Sequence, residues 1–271
     1  MSANLVDRRE FIRQMGFVIP ALHFGSMGTG AISSQDVSRA AAGQSIELRH
    51  LRLRTAVLPE MREFYRKKIG LPIIAEKPES FTMRAGGTTI EFVRSAEANS
   101  PFYHFAFNIP ENKLEKAIAW MEGRAPLIPQ RSTGNIIFHF AHWNAHAIYF
   151  NDPAGNVVEF IARHTMPNAA SGDFGLPDIL YASEIGVVVP DVPLAADALK
   201  NRLGIRDYAG TSATFAPLGD ERGLIIAFPI GRNWLASNIP TAVFPAELKL
   251  LGPVTGKHRL SEGQLEIDAV A

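Results

Sequence analysis

The chain has 271 residues, 46% of them hydrophobic and 20% charged, which suits a globular protein of one large or two ordinary domains and excludes a disordered or collagen-like one. Its 27 Lys and Arg offset its 27 Asp and Glu, so it lacks the basic excess of a nucleic-acid binder. With no cysteine, disulfides, zinc–cysteine sites, iron–sulfur clusters and cysteine nucleophiles are excluded, and any metal falls to His, Asp or Glu; five of the eight His lie between His104 and His164.

The N-terminus reads as a segment apart. Asp7-Arg8-Arg9-Glu10-Phe11-Ile12-Arg13 precedes an uncharged stretch from Met15 to Gln35, in which Gly16, Pro20, Gly25, Gly28 and Gly30 make a poor membrane-spanning helix. A basic head, a mildly apolar stretch and the small residues Ala40-Ala41-Ala42 have the layout of a secretory signal, and the arginine pair resembles the twin-arginine export signal of bacteria. Residues 1–42 are therefore expected to be an export segment, the mature protein periplasmic and without a stable membrane span.

The remainder reads as repeats of one α+β unit. In residues 43–98, the strand Ile46–Arg54 precedes a helix with Leu58, Met61, Phe64 and Tyr65 at helical spacing, which Gly70 ends. Strands near 72–76 and 80–85 and, after Gly86-Gly87, Thr88–Val93 complete the order βαβββ. Residues 99–166 repeat it: the strand Phe102–Ile109, a helix from about Glu111 to Glu122, and strands near Leu127–Ile128, Ala145–Phe150 and Val157–Ala162. A third, degenerate copy in residues 167–271 starts at Ser183–Val189, with a helix Pro193–Leu203 ended by Gly204 and strands at Ser212–Ala216 and Gly223–Phe228. After Trp234 only Ala246–Leu251 and Gln264–Val270 read as strands, and Met166–Asp178 reads as a linker. Such units cannot bury a sheet face alone, so the first two are expected to pair around a metal-centred cup.

Strand parity selects the candidate ligands. Leu51 and Leu53 pack, which turns His50, Arg52 and Arg54 to the other face; Tyr103, Phe105 and Phe107 pack, which turns His104, Ala106 and Asn108 likewise. Glu91 and Glu159 hold matching places in the last strands of their repeats. Two His and up to two Glu thus face one cup, a set suited to a divalent metal such as Fe(II), Mn, Ni, Co or Zn. His139 and His146 read as exposed, His164 and His258 as surface residues, and the three Trp as core.

The repeats resemble the vicinal oxygen chelate superfamily, whose Asp-Pro-x-Gly-Asn-x-x-Glu ending is matched by Asp152-Pro153-Ala154-Gly155-Asn156-Val157-Val158-Glu159. Within it, His142, Ile148-Tyr149, Asp152-Pro153, Gly155 and Glu159 resemble the signature of extradiol ring-cleaving dioxygenases of the catechol 2,3-dioxygenase type. That resemblance implies an Fe(II) triad of His50, His104 and Glu159, a small catechol-like substrate, and acid–base or hydrogen-bonding roles for His142 and Tyr149. It leaves a homodimer open. Glu91 also matches the fourth ligand of glyoxalase I and methylmalonyl-CoA epimerase, which implies instead a metal-dependent lyase or isomerase using Ni, Zn or Co. A non-catalytic binding protein of the bleomycin-resistance type is the third reading. In the third repeat Glu184 stands where a His would be and Leu224–Phe228 has no carboxylate, so that repeat is expected to be structural.

Overall fold

The computed structural model describes residues 45–96, 100–208, 211–234 and 239–271; the expected export segment 1–42 lies outside the described residues. Strand β1 (Glu47–Thr55) buries Leu51, Leu53 and Thr55 and leaves His50, Arg52 and Arg54 half-buried on its other face. Helix α1 (Leu58–Glu63) opens on Pro59 and runs into a wider turn, Phe64–Ile69, which Gly70 ends in the left-handed conformation at φ 88°. Leu58, Met61 and Tyr65 are its buried stripe. Strands β2 (Ile73–Lys77), β3 (Ser80–Ala85) and β4 (Thr88–Arg94) complete the first βαβββ unit.

The second unit comprises β5 (His104–Ile109), α2 (Leu114–Met121), β6 (Phe138–Phe140), β7 (Ala145–Asn151) and β8 (Val157–Arg163). Its helix starts later than the sequence pattern implies. Lys113 is pulled into a buried ion pair with Asp178 (2.9 Å), and Glu111 and Asn112 stay in the turn before it. The third unit comprises β9 (Tyr181–Val189), α3 (Val192–Leu203), β10 (Ala216–Asp220) and β11 (Gly223–Pro229). Asp191 caps α3 by accepting the Leu194 N–H at 2.9 Å. The strand expected at Ser212–Ala216 is a tight turn with one bridge, Ser212 to Phe215, and the chain extends only from Ala216. Residues beyond Trp234 form more than a tail: β12 (Ala246–Leu251), β13 (Gly256–Leu260) and β14 (Leu265–Val270) are a fourth unit without a helix.

Two seven-stranded sheets result, in the orders β13-β14-β12-β1-β4-β3-β2 and β10-β11-β9-β5-β8-β7-β6. The α+β class and the βαβββ units are as the sequence implies. The partnership is not: the first unit pairs with the fourth through antiparallel β1 and β12, and the second with the third through antiparallel β5 and β9. The first two units therefore lie in different sheets and do not share a cup. They meet instead through their helix-bearing faces, where Phe64 packs on Phe150 and Phe92 on Phe105 inside one continuous apolar core. The opposite face of the second sheet carries a separate apolar cluster that includes Phe138, Tyr149, Phe215, Phe228 and Trp234.

Candidate metal centre

The second sheet concentrates charge on an otherwise apolar face. His104 and Ala106 in β5, Glu159 in β8 and Glu184 in β9 are neighbours because Ala106 lies opposite both Glu159 and Glu184. One ligand atom from each of His104, Glu159 and Glu184 falls within 4.8 Å of the others. All three residues are buried. The His104 Nε2 stands 3.5 Å from Glu159 and 3.9 Å from Glu184.

The fourth equivalent position, Ile226 in β11 opposite Gly186, is apolar, so the set has three donors.

The local hydrogen bonds suit a ligand role. His104 Nδ1 lies 2.9 Å from the Val157 carbonyl, to which it donates, leaving the Nε2 lone pair of the neutral ring for the carboxylates' side. Glu159 is hydrogen-bonded to the Tyr149 hydroxyl. Glu184 forms an ion pair with the fully buried Arg163, whose Nε and Nη1 have no hydrogen-bond partner among the described residues. The Arg163 guanidinium lies 5.6 Å from the Trp143 ring and 5.9 Å from Tyr208.

Electrostatics show what is missing from this cluster. Burial and the charge of Glu184 push Glu159 up to about 8, against the opposing pull of His104, Tyr149 and Arg163. Burial by itself would lower His104, but the neighbouring carboxylates of Glu184 and Glu159 outweigh it and raise the ring above its ordinary value. Burial and the neighbouring carboxylates also hold the Tyr149 hydroxyl protonated. Glu159 and the His104 imidazole therefore bind protons more tightly here than in water, protons that another cation in the cluster would displace. Borderline imidazole nitrogen and hard carboxylate oxygen in one buried cluster fit a divalent first-row metal.

Aromatic residues wall the site. The His104 ring is 5.6 Å from that of Trp234 and 6.2 Å from that of Tyr149, and Phe228 and Phe138 pack edge-on against those two. Trp234 can lie over His104 only because residue 186 is glycine: a Cβ there would sit 2.5 Å from the indole. The indole Nε1 is buried without a hydrogen-bond partner among the described residues.

The remaining sequence-selected residues lie elsewhere. His50 and Glu91 are on the first sheet, where Arg52 lies opposite both Glu91 and Glu247. His50, Glu91 and Glu247 thus repeat the register of His104, Glu159 and Glu184, with Arg52 in the place of Ala106. The Arg52 guanidinium binds Glu91 at 3.1 Å and also pairs with Glu247, supplying there the positive charge that Ala106 cannot. His50 instead contacts the Thr89 hydroxyl at 2.8 Å. His142 is exposed on the turn between β6 and β7, beside Trp143 of the cup wall. Tyr149 is the sequence-selected substrate residue that the fold brings into the cluster. Sequence reasoning passed over Glu184 as a ligand and Arg163 altogether. The signal for Glu184 was its place on the first strand of its unit.

Residues 47–160 match the sequence profile of the Glyoxalase/Bleomycin resistance protein/Dioxygenase superfamily. The chain carries a domain of this superfamily. No curated protein sequence matches the chain. Among solved structures, a Bacillus subtilis protein described as a "putative dioxygenase" is similar over 84% of this chain and 86% of its own, with 16% identity and a TM-score of 0.54. Glyoxalase I from Zea mays is similar over 83% of this chain and 92% of its own, with 12% identity and a TM-score of 0.50. At these identities the similarity is one of fold.

Proposed function

We propose that the chain is a metal-dependent enzyme working in the cup of the second sheet, with His104, Glu159 and Glu184 as its metal ligands. We propose further that its reaction is extradiol-type, dioxygen-dependent cleavage of a small catechol-like phenol. The observation that carries this reading is the convergence of three ligand-competent side chains, buried, at the foot of an aromatic-walled cup. Bound there, Fe(II) would supply Lewis-acid polarisation of a substrate oxygen and a path by which electrons of the substrate reach dioxygen.

The protein's own groups favour such a substrate. With a divalent ion, two carboxylates and Arg163, the centre carries one net positive charge, which a monoanionic phenolate balances. Phe138, Phe228 and Trp234 suit a flat ring. Tyr149 can hold a proton beside the substrate oxygen through its bond to Glu159. His142 is kept as a candidate acid–base residue at the edge of the cup. We also place the protein in the periplasm, on the twin-arginine-like start, where a diffusible phenol is easier to meet than a glutathione or coenzyme A thioester.

The high proton affinity of Glu159 favours a second reading, a lyase or isomerase of the glyoxalase type, in which that carboxylate takes a proton from carbon. Anaerobic loading with Fe(II), followed by oxygen uptake across a panel of catechols, tests the first reading. Uptake in proportion to ring-cleaved product supports it. A chain that holds Ni or Zn, consumes no oxygen after Fe(II) loading and exchanges solvent deuterium into a carbonyl compound supports the second and overturns the first.

A further inference from the structure

A second group of metal-ligating side chains lies outside the cup. Strands β6, β7 and β8 run side by side, and three imidazoles stand in a row across them. His139 lies directly opposite His146, and the two rings stack with centroids 4.4 Å apart and 8° between planes. His146 lies opposite Ala162, which places His164 on the diagonal, and His146 Nδ1 is 2.8 Å from His164 Nε2. Along β7, His146 has the parity of Ile148 and Phe150, which belong to the core between the sheets, and the opposite parity to Tyr149 of the cup. The row and the cup are on opposite faces of the sheet.

Three features make the row a built site. The backbone beneath it is fixed: the N–H of His164 donates to the Asn144 carbonyl at 2.9 Å, and Asn144, at φ 44°, closes the turn from which β7 starts. His164 Nδ1 faces the Glu111 carboxylate at 4.0 Å, which favours a proton on Nδ1 and turns the lone pair of Nε2 toward His146. Glu111 is itself anchored through its backbone N–H, which donates to the Asn168 side chain at 2.9 Å. The separation of the two facing nitrogens also suits a metal. Metal–nitrogen bonds of about 2.0 Å at a right angle put two ligating nitrogens about 2.9 Å apart, the cis spacing of a square-planar centre.

We propose that His146 and His164 form a surface site for a late first-row divalent metal, copper(II) above all, with Glu111 orienting His164 and the exposed His139 able to turn in as a third ligand. Binding takes the place of the hydrogen bond between the two rings: the proton on His146 Nδ1 moves to its Nε2, and with both rings neutral no net proton is released. Copper(II) leads the series because it binds nitrogen donors most tightly and prefers the tetragonal geometry that this spacing gives.

The test is titration of the chelator-treated full-length chain with copper(II), followed by electron paramagnetic resonance and calorimetry. The account expects a copper centre with at least two imidazole nitrogens, which the cup, with His104 as its one nitrogen donor, cannot supply. That centre persists in His104→Ala. It is lost in the double variant His146→Gln, His164→Gln, and Glu111→Gln weakens it by about tenfold. The proposal is overturned if the unaltered chain shows a centre with one nitrogen ligand only, or if the double variant keeps the stoichiometry and spectrum of the unaltered chain.

Discussion

Glu184 links two buried charges, and its removal is the sharpest test at the scale of single residues. Glu184→Gln keeps the shape of the side chain but leaves Arg163, fully buried, without its carboxylate. Breaking one side of such a pair costs about 3–5 kcal/mol. Denaturant unfolding of the variant should show a loss of that size; a loss below about 1 kcal/mol would mean that Arg163 finds another partner. The protons of the cluster give a second prediction, for the metal-free chain. Glu159, raised from 4.5 to about 8, and His104, raised above 6.5, both bind protons more tightly folded than unfolded. The stabilisation from Glu159 is complete below its unfolded value and is lost as pH rises through about 8, and that from His104 is lost likewise as pH rises through its own raised value. The metal-free chain should therefore melt at a lower temperature at pH 9 than at pH 6, and Glu159→Gln should flatten the difference; a wild-type melting temperature that rises over that interval would contradict it. Much at this scale was legible in the sequence, because strand parity alone turned His104 and Glu159 to one face. Glu184 was missed as a candidate because a histidine was sought at its position, although a carboxylate there is ligand-competent as well.

At the scale of elements, single side chains set the charge on each sheet face. On the first sheet Arg52 pairs with both Glu91 and Glu247; on the second, Ala106 holds the matching place between Glu159 and Glu184 and brings no charge. The sequence shows both residues, but their consequence follows only from knowing which strands flank them. Gly186 admits Trp234. In Gly186→Ala the new Cβ would meet the indole at 2.5 Å and His104 Cβ at 3.3 Å, so Trp234 must move. The expected cost is about 1–3 kcal/mol, with a red shift of tryptophan emission as the ring meets solvent. An unshifted spectrum at wild-type stability would show that Trp234 does not cover the site. Helix ends at Gly70 and Gly204 were readable from the glycine requirement of a left-handed cap. The late start of α2 was not, because the Lys113–Asp178 ion pair that delays it joins residues far apart in the chain.

At the scale of the whole molecule, four units pair within the chain, first with fourth and second with third. Periodicity shows which face of a strand is buried, but not which distant strand lies beside it, and adjacency in sequence favoured the wrong pair. The fourth unit was hidden for a related reason: without a helix, β12, β13 and β14 have no 3.6-residue pattern to announce them. Both seven-stranded sheets are built from units of this one chain. No helix among the described residues is long and apolar enough to cross a membrane. The proposed function makes the second sheet the metal-binding one, a claim that separates His104 from His50 although the two stand at equivalent places in their units. The most direct test is to load the full-length chain and its His104→Ala and His50→Ala variants anaerobically with Fe(II) and measure iron bound per chain. The account predicts that His50→Ala keeps the iron of the unaltered chain and that His104→Ala loses it; iron lost with His50, or retained in full without His104, would contradict it.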